Sequence, residues 1–160
     1  MKKIFLFIAI AVSMTARAQV NTVSLQASGL TCSMCSNAIN KALKTLDFVQ
    51  MVDADIKTYT FLISFKANSV IDFDLLRKSV EKAGFTVCSF VANIHFENIQ
   101  VKNNQAILFG DKKFLFVNSG DHVLNGVKQV KILDRGFVSP KEFKKNPSFV
   151  SSPQTYHVAL

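Results

Sequence analysis

The 160 residues contain no tryptophan, three prolines and only three cysteines. Only two of the cysteines, Cys32 and Cys35, are close in sequence, and no nearby His or second CxxC completes the four closed ligands of a structural zinc centre. No stripe of Lys and Arg interleaved with aromatics occurs, which argues against a nucleic-acid partner. No Ser/His/Asp order, phosphate loop or carboxylate pair stands out, so nothing demands an enzyme. There is no internal repeat and no long linker. What is present is enough apolar material for a core: 49% of the residues, including 15 phenylalanines. That composition excludes wholesale disorder.

The first eighteen residues read as a leader rather than as part of the fold. Lys2 and Lys3 precede the apolar run Ile4 to Val12, and Ala16-Arg17-Ala18 closes the segment. A charged start, a short apolar run and a small-x-small site form a secretory signal peptide, here expected to be cut after Ala18. The run is too short to span a bilayer comfortably, so no stable membrane insertion is expected once it is removed. No cysteine follows it directly, which argues against a lipid anchor. Cleavage leaves Gln19 first and lowers the formal charge from +8 to +5, because Lys2, Lys3 and Arg17 are lost. The expected location is periplasmic or secreted.

Two domains are expected in the mature chain, residues 19–91 and 92–160. In the first, Val23, Leu25 and Ala27 alternate as in a strand. Ala38, Ile39, Ala42, Leu43 and Leu46 recur at helical spacing over Ser36 to Leu46. Residues 49–55 and 58–65 read as strands, with Phe61, Ile63 and Phe65 on one face. Asp72 is suited to cap a helix bearing Phe73, Leu76, Val80 and Ala83 on one stripe, and Gly84 is suited to end it. Residues 85–91 close the unit as a strand. The order βαββαβ is that of a ferredoxin-like sandwich, α+β in class, with two helices on one face of a four-stranded antiparallel sheet. Leu62 is expected on the open face, which is a candidate seat for whatever follows.

Residues 92–160 are β-rich. Strands are expected over 93–101, 105–109, 113–118, 127–133 and 155–160, with turns at Asn103-Asn104, Gly110-Asp111 and Ser119-Gly120-Asp121. Ser139, Pro140 and Glu142 open a short helical turn in capping-box style. A small barrel or curled sheet, OB-like in the barrel case, is the expected architecture.

Chemistry concentrates in "GLTCSMC", residues 29–35. Cys32 and Cys35 stand on a loop between a strand and a helix start, where the helix N-terminus favours negative charge and so the thiolate form. Two converging thiolates select soft ions. Cu(I) or Hg(II) fit a two-sulfur, near-linear site better than Zn(II), which wants added ligands; Cd(II) is a further possibility. The alternatives are a simple disulfide, as in an interaction module, and a redox pair. Thioredoxin-like enzymes usually carry an aromatic before the first cysteine and a proline between the two, and neither is found here.

This stretch is similar to the GMTCxxC signature of the heavy-metal-associated domain family, which occurs in copper chaperones, in N-terminal modules of P-type ATPases and in periplasmic mercury-binding proteins. The similarity extends over about residues 21–91, with "LLRKSVEKAGF" and the βαββαβ order agreeing. In the family both motif cysteines bind the ion, which the resemblance carries over to Cys32 and Cys35. Thr31 matches the residue before the first cysteine, Leu30 replaces the usual Met at a core position, and Phe85 falls where ATPase modules often have an aromatic. A leader followed by such a domain resembles the periplasmic mercury-binding proteins. The resemblance implies capture, buffering or transfer of Cu(I), or of Hg(II). The implied partner is a metal-transporting membrane protein or another metal-binding domain.

The remaining candidates read as structural. Cys88 is expected to be a small buried hydrophobe in mid-strand. Met34 could lend a thioether to Cu(I) but is expected to be exposed. His95, His122 and His157 show no ligand spacing. Asp53 and Asp55 share a strand face and are expected to be solvated.

Overall fold

The computed structural model describes residues 19–102, 105–145, 149 and 154–160. The leader expected over residues 1–18 and the turn expected at Asn103-Asn104 lie outside the described residues. The elements in chain order are β1 (Gln19–Ser28), α1 (Ser33–Lys44), β2 (Val49–Asp55), β3 (Thr60–Phe65), α2 (Phe73–Lys82), β4 (Thr86–Val101), β5 (Ala106–Phe109), β6 (Lys112–Phe116), β7 (His122–Ile132), α3 (Pro140–Phe143) and β8 (Thr155–Ala159).

The first six elements form the expected ferredoxin-like unit. β1 is antiparallel to both β3 and β4, and β2 lies outside β3. Alternation along β1 puts Val23, Leu25 and Ala27 into the core. Ile39 and Leu43 of α1, with Phe73, Leu76 and Val80 of α2, cover that face. α2 has both sequence-encoded ends. Oδ1 of Asp72 accepts from the Leu75 amide at 3.0 Å. At the far end the Gly84 amide donates to Glu81 O at 2.9 Å and the Phe85 amide to Val80 O at 3.2 Å. That pair of bonds closes the helix over a left-handed residue, and Gly84 supplies it with φ +92°. α1 starts at Ser33, three residues before the sequence pattern places it. Its first turn carries no acidic residue and its N-cap, Cys32, makes no side-chain cap bond, so no polar signal marks that end.

The second half does not take the open face of the first sheet. Leu62 points there and stays 45% exposed. Instead the sheet widens sideways, in the order β2-β3-β1-β4-β7-β8-β6-β5. The expected division between residues 91 and 92 falls inside β4, whose first part pairs with β1 and whose later part pairs with β7. Ile94 and Phe96 continue the buried alternation of Phe90 and Ala92 across that point.

An OB-like barrel is therefore not what these strands form. A barrel requires a closed ladder, and among the described residues β5 pairs with β6 alone. The sheet does curl: Phe109 on β5 meets Phe96 on β4 with ring centroids 5.8 Å apart, although β7, β8 and β6 intervene in the ladder. The last strand, β8, runs parallel to β6 and pairs antiparallel with β7 at Lys131 and Ile132.

Beyond β4, the two halves also meet at the start of α2. Phe73 lies 5.1 Å from Phe90 and 5.6 Å from Tyr156, centroid to centroid. Phe137 packs edge-on against both Phe90 and Tyr156, and the Arg77 guanidinium lies 5.5 Å over the Phe137 ring. Losing a buried ring of this kind destabilises a fold by about 3–5 kcal/mol. Lys112, nearly fully buried, binds Asp111 at 2.6 Å and lies over Phe73.

Candidate functional site

β1 ends at Ser28, and Gly29 turns the chain with φ +89°. That left-handed conformation is open to glycine and strained for other residues. A Cβ built there would come to rest 3.9 Å from Phe85, so Phe85 of the α2–β4 turn flanks the loop. Leu30 then drops into the core, 8% exposed, in keeping with an apolar anchor at that position. Thr31 and Cys32 return to the surface, and Cys32 sits extended at the N-cap of α1. One turn on, Cys35 is half-buried and packs against the core.

This geometry aims two thiols at one point. Sγ of Cys32 and Sγ of Cys35 are 2.8 Å apart and both cysteines are free; a disulfide would bring the sulfurs to about 2.05 Å. The Cys35 thiol is lowered to about 7. The Cys32 side chain contributes most to this, followed by the Thr31 backbone, while burial opposes it. The start of a helix supports a thiolate in the same sense. The lowering favours the thiolate of Cys35, the form that acts as a soft donor.

The site is shallow and open. Met34, between the cysteines, is 80% exposed and stands in solvent. Among the described residues no group of three or more His, Cys, Asp or Glu side chains could hold a metal. The second half packs near the start of α2, whereas the thiols sit beside its end, at the Phe85 turn. Nothing described from residues 92–160 covers them.

Cys88, expected to be a buried mid-strand hydrophobe, is half-buried and third in β4. It falls at an irregularity in the β1–β4 register, where Gln26 faces Ser89 and Ala27 faces Val87. Its thiol donates to Gln26 O at 3.4 Å, and burial pushes it up from the ordinary thiol value. It is a half-buried wall residue. Asp55, expected to be merely solvated, accepts from the Lys57 amide and the Thr58 hydroxyl at 2.8 Å each, ordering the β2–β3 turn. These bonds hold its carboxyl below the usual range, the Thr58 hydroxyl most of all.

The three histidines do not assemble a site. His95 pairs across strands with Gln19 and Val127, and His122 starts β7. His157 belongs to a pair that the sequence does not reveal. Its Nδ1 and its backbone amide both lie 2.8 Å from the Asp134 carboxylate, which is fully buried. Phe149 stacks on the His157 ring at 4.6 Å. Burial, more than anything else, pushes the Asp134 carboxyl up. Asp134 follows a strand in a loop, where a lone charge ordinarily reads as solvated, so no local signal separates it from a surface residue.

Among the described residues no helix is long and apolar enough to cross a membrane. The model of the heavy-metal-associated domain matches residues 24–86. The periplasmic component of the mercuric transport protein of Serratia marcescens is 33% identical over 86 residues, covering 53% of this chain and 93% of that protein. Its counterpart from Pseudomonas fluorescens is 33% identical over 68 residues, 42% of this chain and 74% of that protein. Among solved structures, the yeast copper transporter domain CCC2A, determined in apo and Cu(I)-loaded states, is 28% identical. It covers 42% of this chain and 90% of its own, with a TM-score of 0.38. The GLTCSMC loop, the βαββαβ unit around it, the match of the domain model and the two mercuric transport relatives lead to one conclusion: the chain belongs to the heavy-metal-associated domain family.

Proposed function

We propose that this protein is an exported carrier of one soft metal ion, most readily Cu(I), held between Cys32 and Cys35. The observation that carries this reading is the pair of free thiols 2.8 Å apart at an exposed helix start, with Cys35 lowered to about 7. Thiolates select soft cations, and two sulfurs satisfy Cu(I) without further donors. The ion is cargo. An open, two-donor site lets an incoming thiolate of a partner bind before both resident sulfurs have left, so transfer proceeds by ligand exchange. The partner is a metal-transporting membrane protein or another metal-binding domain. Export accords with the leader-like residues 1–18 and with relatives named as periplasmic components. Residues 19–91 are the metal-binding unit and 92–160 an appended part of the same sheet. Capture and transfer need no bond-making on a substrate, so the role is a carrier's rather than an enzyme's.

Hg(II) as cargo is a second reading, supported by the names of the two mercuric transport relatives. Competition between Cu(I) and Hg(II) for the reduced protein, followed by the ligand-to-metal absorption of each, separates the two. Cys32→Ser or Cys35→Ser should abolish tight binding of either ion, and Cys88→Ser should leave it nearly unchanged. Equal loss from Cys88→Ser would refute a two-sulfur site.

A further inference from the structure

Charge is divided unevenly along the chain. Residues 19–91 carry seven Lys and Arg against six Asp and Glu, whereas residues 92–160 carry nine against five. Three acids of the second set are already engaged: Asp134 by His157, Glu142 by Lys131 and Asp111 by Lys112. The exposed excess is therefore basic.

Part of it gathers at the outermost strand. β5 is the last strand of the sheet. Leu108 on β5 is the cross-strand partner of Lys113 on β6, so the two share a face. Leu108 is 69% exposed, and Lys113 is exposed beside it. Lys102, also exposed, stands just before β5, its carbonyl accepting from the Gln105 amide at 3.1 Å. Asp111, in the turn joining β5 to β6, is turned to the buried Lys112. Phe109 of this edge meets Phe96, ten residues along β4 from Thr86, whereas the thiols sit at the Phe85 turn before the strand's start.

A lysine on an edge strand blocks edge-to-edge pairing, and that would account for Lys113 alone. It does not account for a leucine left open on the same face, which a blocking edge would keep polar. An exposed leucine beside a lysine, with a second exposed lysine just before the strand, suits the boundary of headgroups and acyl chains, where the leucine sinks and the ammoniums stay at phosphate level.

We propose that the β5–β6 edge docks this protein on an anionic lipid surface, with Lys102 and Lys113 toward the headgroups and Leu108 in the interface. The thiol pair, at the Phe85 turn, is not part of the docking edge. The inference does not depend on which ion is carried, or on whether one is.

The test uses residues 19–160, which contain every described element, because the apolar run of the leader would itself bind lipid. Co-sedimentation is measured with vesicles of phosphatidylglycerol and phosphatidylcholine in equal parts, and with phosphatidylcholine alone. Binding is expected to the anionic vesicles only, and to be lost at about 1 M salt, where the screening length falls to about 3 Å. Each lysine near such a surface is worth about fivefold in partition, so Lys102→Gln/Lys113→Gln should weaken binding about thirtyfold. Leu108→Asn should weaken it with an unchanged salt dependence. An unaltered melting temperature for each variant confirms that the fold is intact. No binding to anionic vesicles, or binding that these variants do not weaken, would overturn the proposal; an acidic protein partner would then be the better reading of the same charges.

Discussion

Tyr156 donates its hydroxyl proton to Oδ2 of Asp74 at 3.0 Å, joining the last strand of the chain to the first turn of α2. Asp74 also binds Arg77, which binds Glu81 and lies over Phe137. Burial, and the Asp74 carboxylate beside it, push the Tyr156 phenol far above its ordinary value, so the hydroxyl remains a donor throughout the physiological range. The second half is fastened to the metal-binding unit by a specific polar contact on top of shared aromatic packing.

The two halves should unfold as one unit. Denaturation followed by far-ultraviolet circular dichroism and by tyrosine fluorescence should give coincident transitions. Tyr156→Phe should lower stability by about 1–2 kcal/mol, because Asp74 loses a donor. Two separated transitions in the unsubstituted protein would show that the shared core does not couple the halves.

The rate of Cys35 alkylation should rise steeply through about pH 7, since the thiolate is the nucleophile and this thiol is lowered to about 7. Cys32→Ala should move the midpoint upward, because it removes the side-chain hydrogen bond from Cys32 that is the largest cause of the lowering. A thiol depressed in the fold contributes stability that is fully present above the unfolded value, about 8.5, and that is lost as pH falls through about 7. An unshifted midpoint in the variant would contradict the geometry of the pair.

His157→Ala should destabilise the fold by about 1–3 kcal/mol at neutral pH, because it removes the Nδ1 donor from a buried carboxylate. Asp134 has a raised value in the fold, so it favours the folded state most below the unfolded value of about 3.9 and less as pH rises through the folded one. The gap between variant and parent should therefore narrow in acid, where the carboxyl is neutral and needs the donor less. Thermal melts across the acid range measure it.

Gly84→Ala should lower stability by about 1–2 kcal/mol through backbone strain alone. φ is +92° there, and an added Cβ meets nothing within 4 Å. A neutral result would mean that the helix end relaxes to another closure.

The first half was legible because its signals are local. Asp72 and Gly84 bracket α2, the spacing of Phe73, Leu76 and Val80 marks its buried face, and GLTCSMC locates the thiols. The second half was not, for a physical reason. The alternation Phe90, Ala92, Ile94, Phe96 looks the same whether one strand continues or two strands meet, so the division placed at residue 91 had no local signal behind it. Pairing of β8 with β6 joins Tyr156 to Phe114 across 42 positions, and such registers are set by packing rather than by neighbours in sequence. The burial of Asp134 depends on His157, 23 residues away. Within the site, the start of α1 at Ser33 was hidden because Cys32 caps it without a side-chain bond.

The central claim is that Cys32 and Cys35 together hold one soft ion. An anaerobic competition titration of the reduced protein with Cu(I), beside Cys32→Ser/Cys35→Ser, tests it most directly. The account predicts one tightly bound Cu(I) per chain, absent from the double variant while its melting temperature is retained. A fully reduced protein that binds no Cu(I), or a double variant that binds as tightly as the parent, would contradict it.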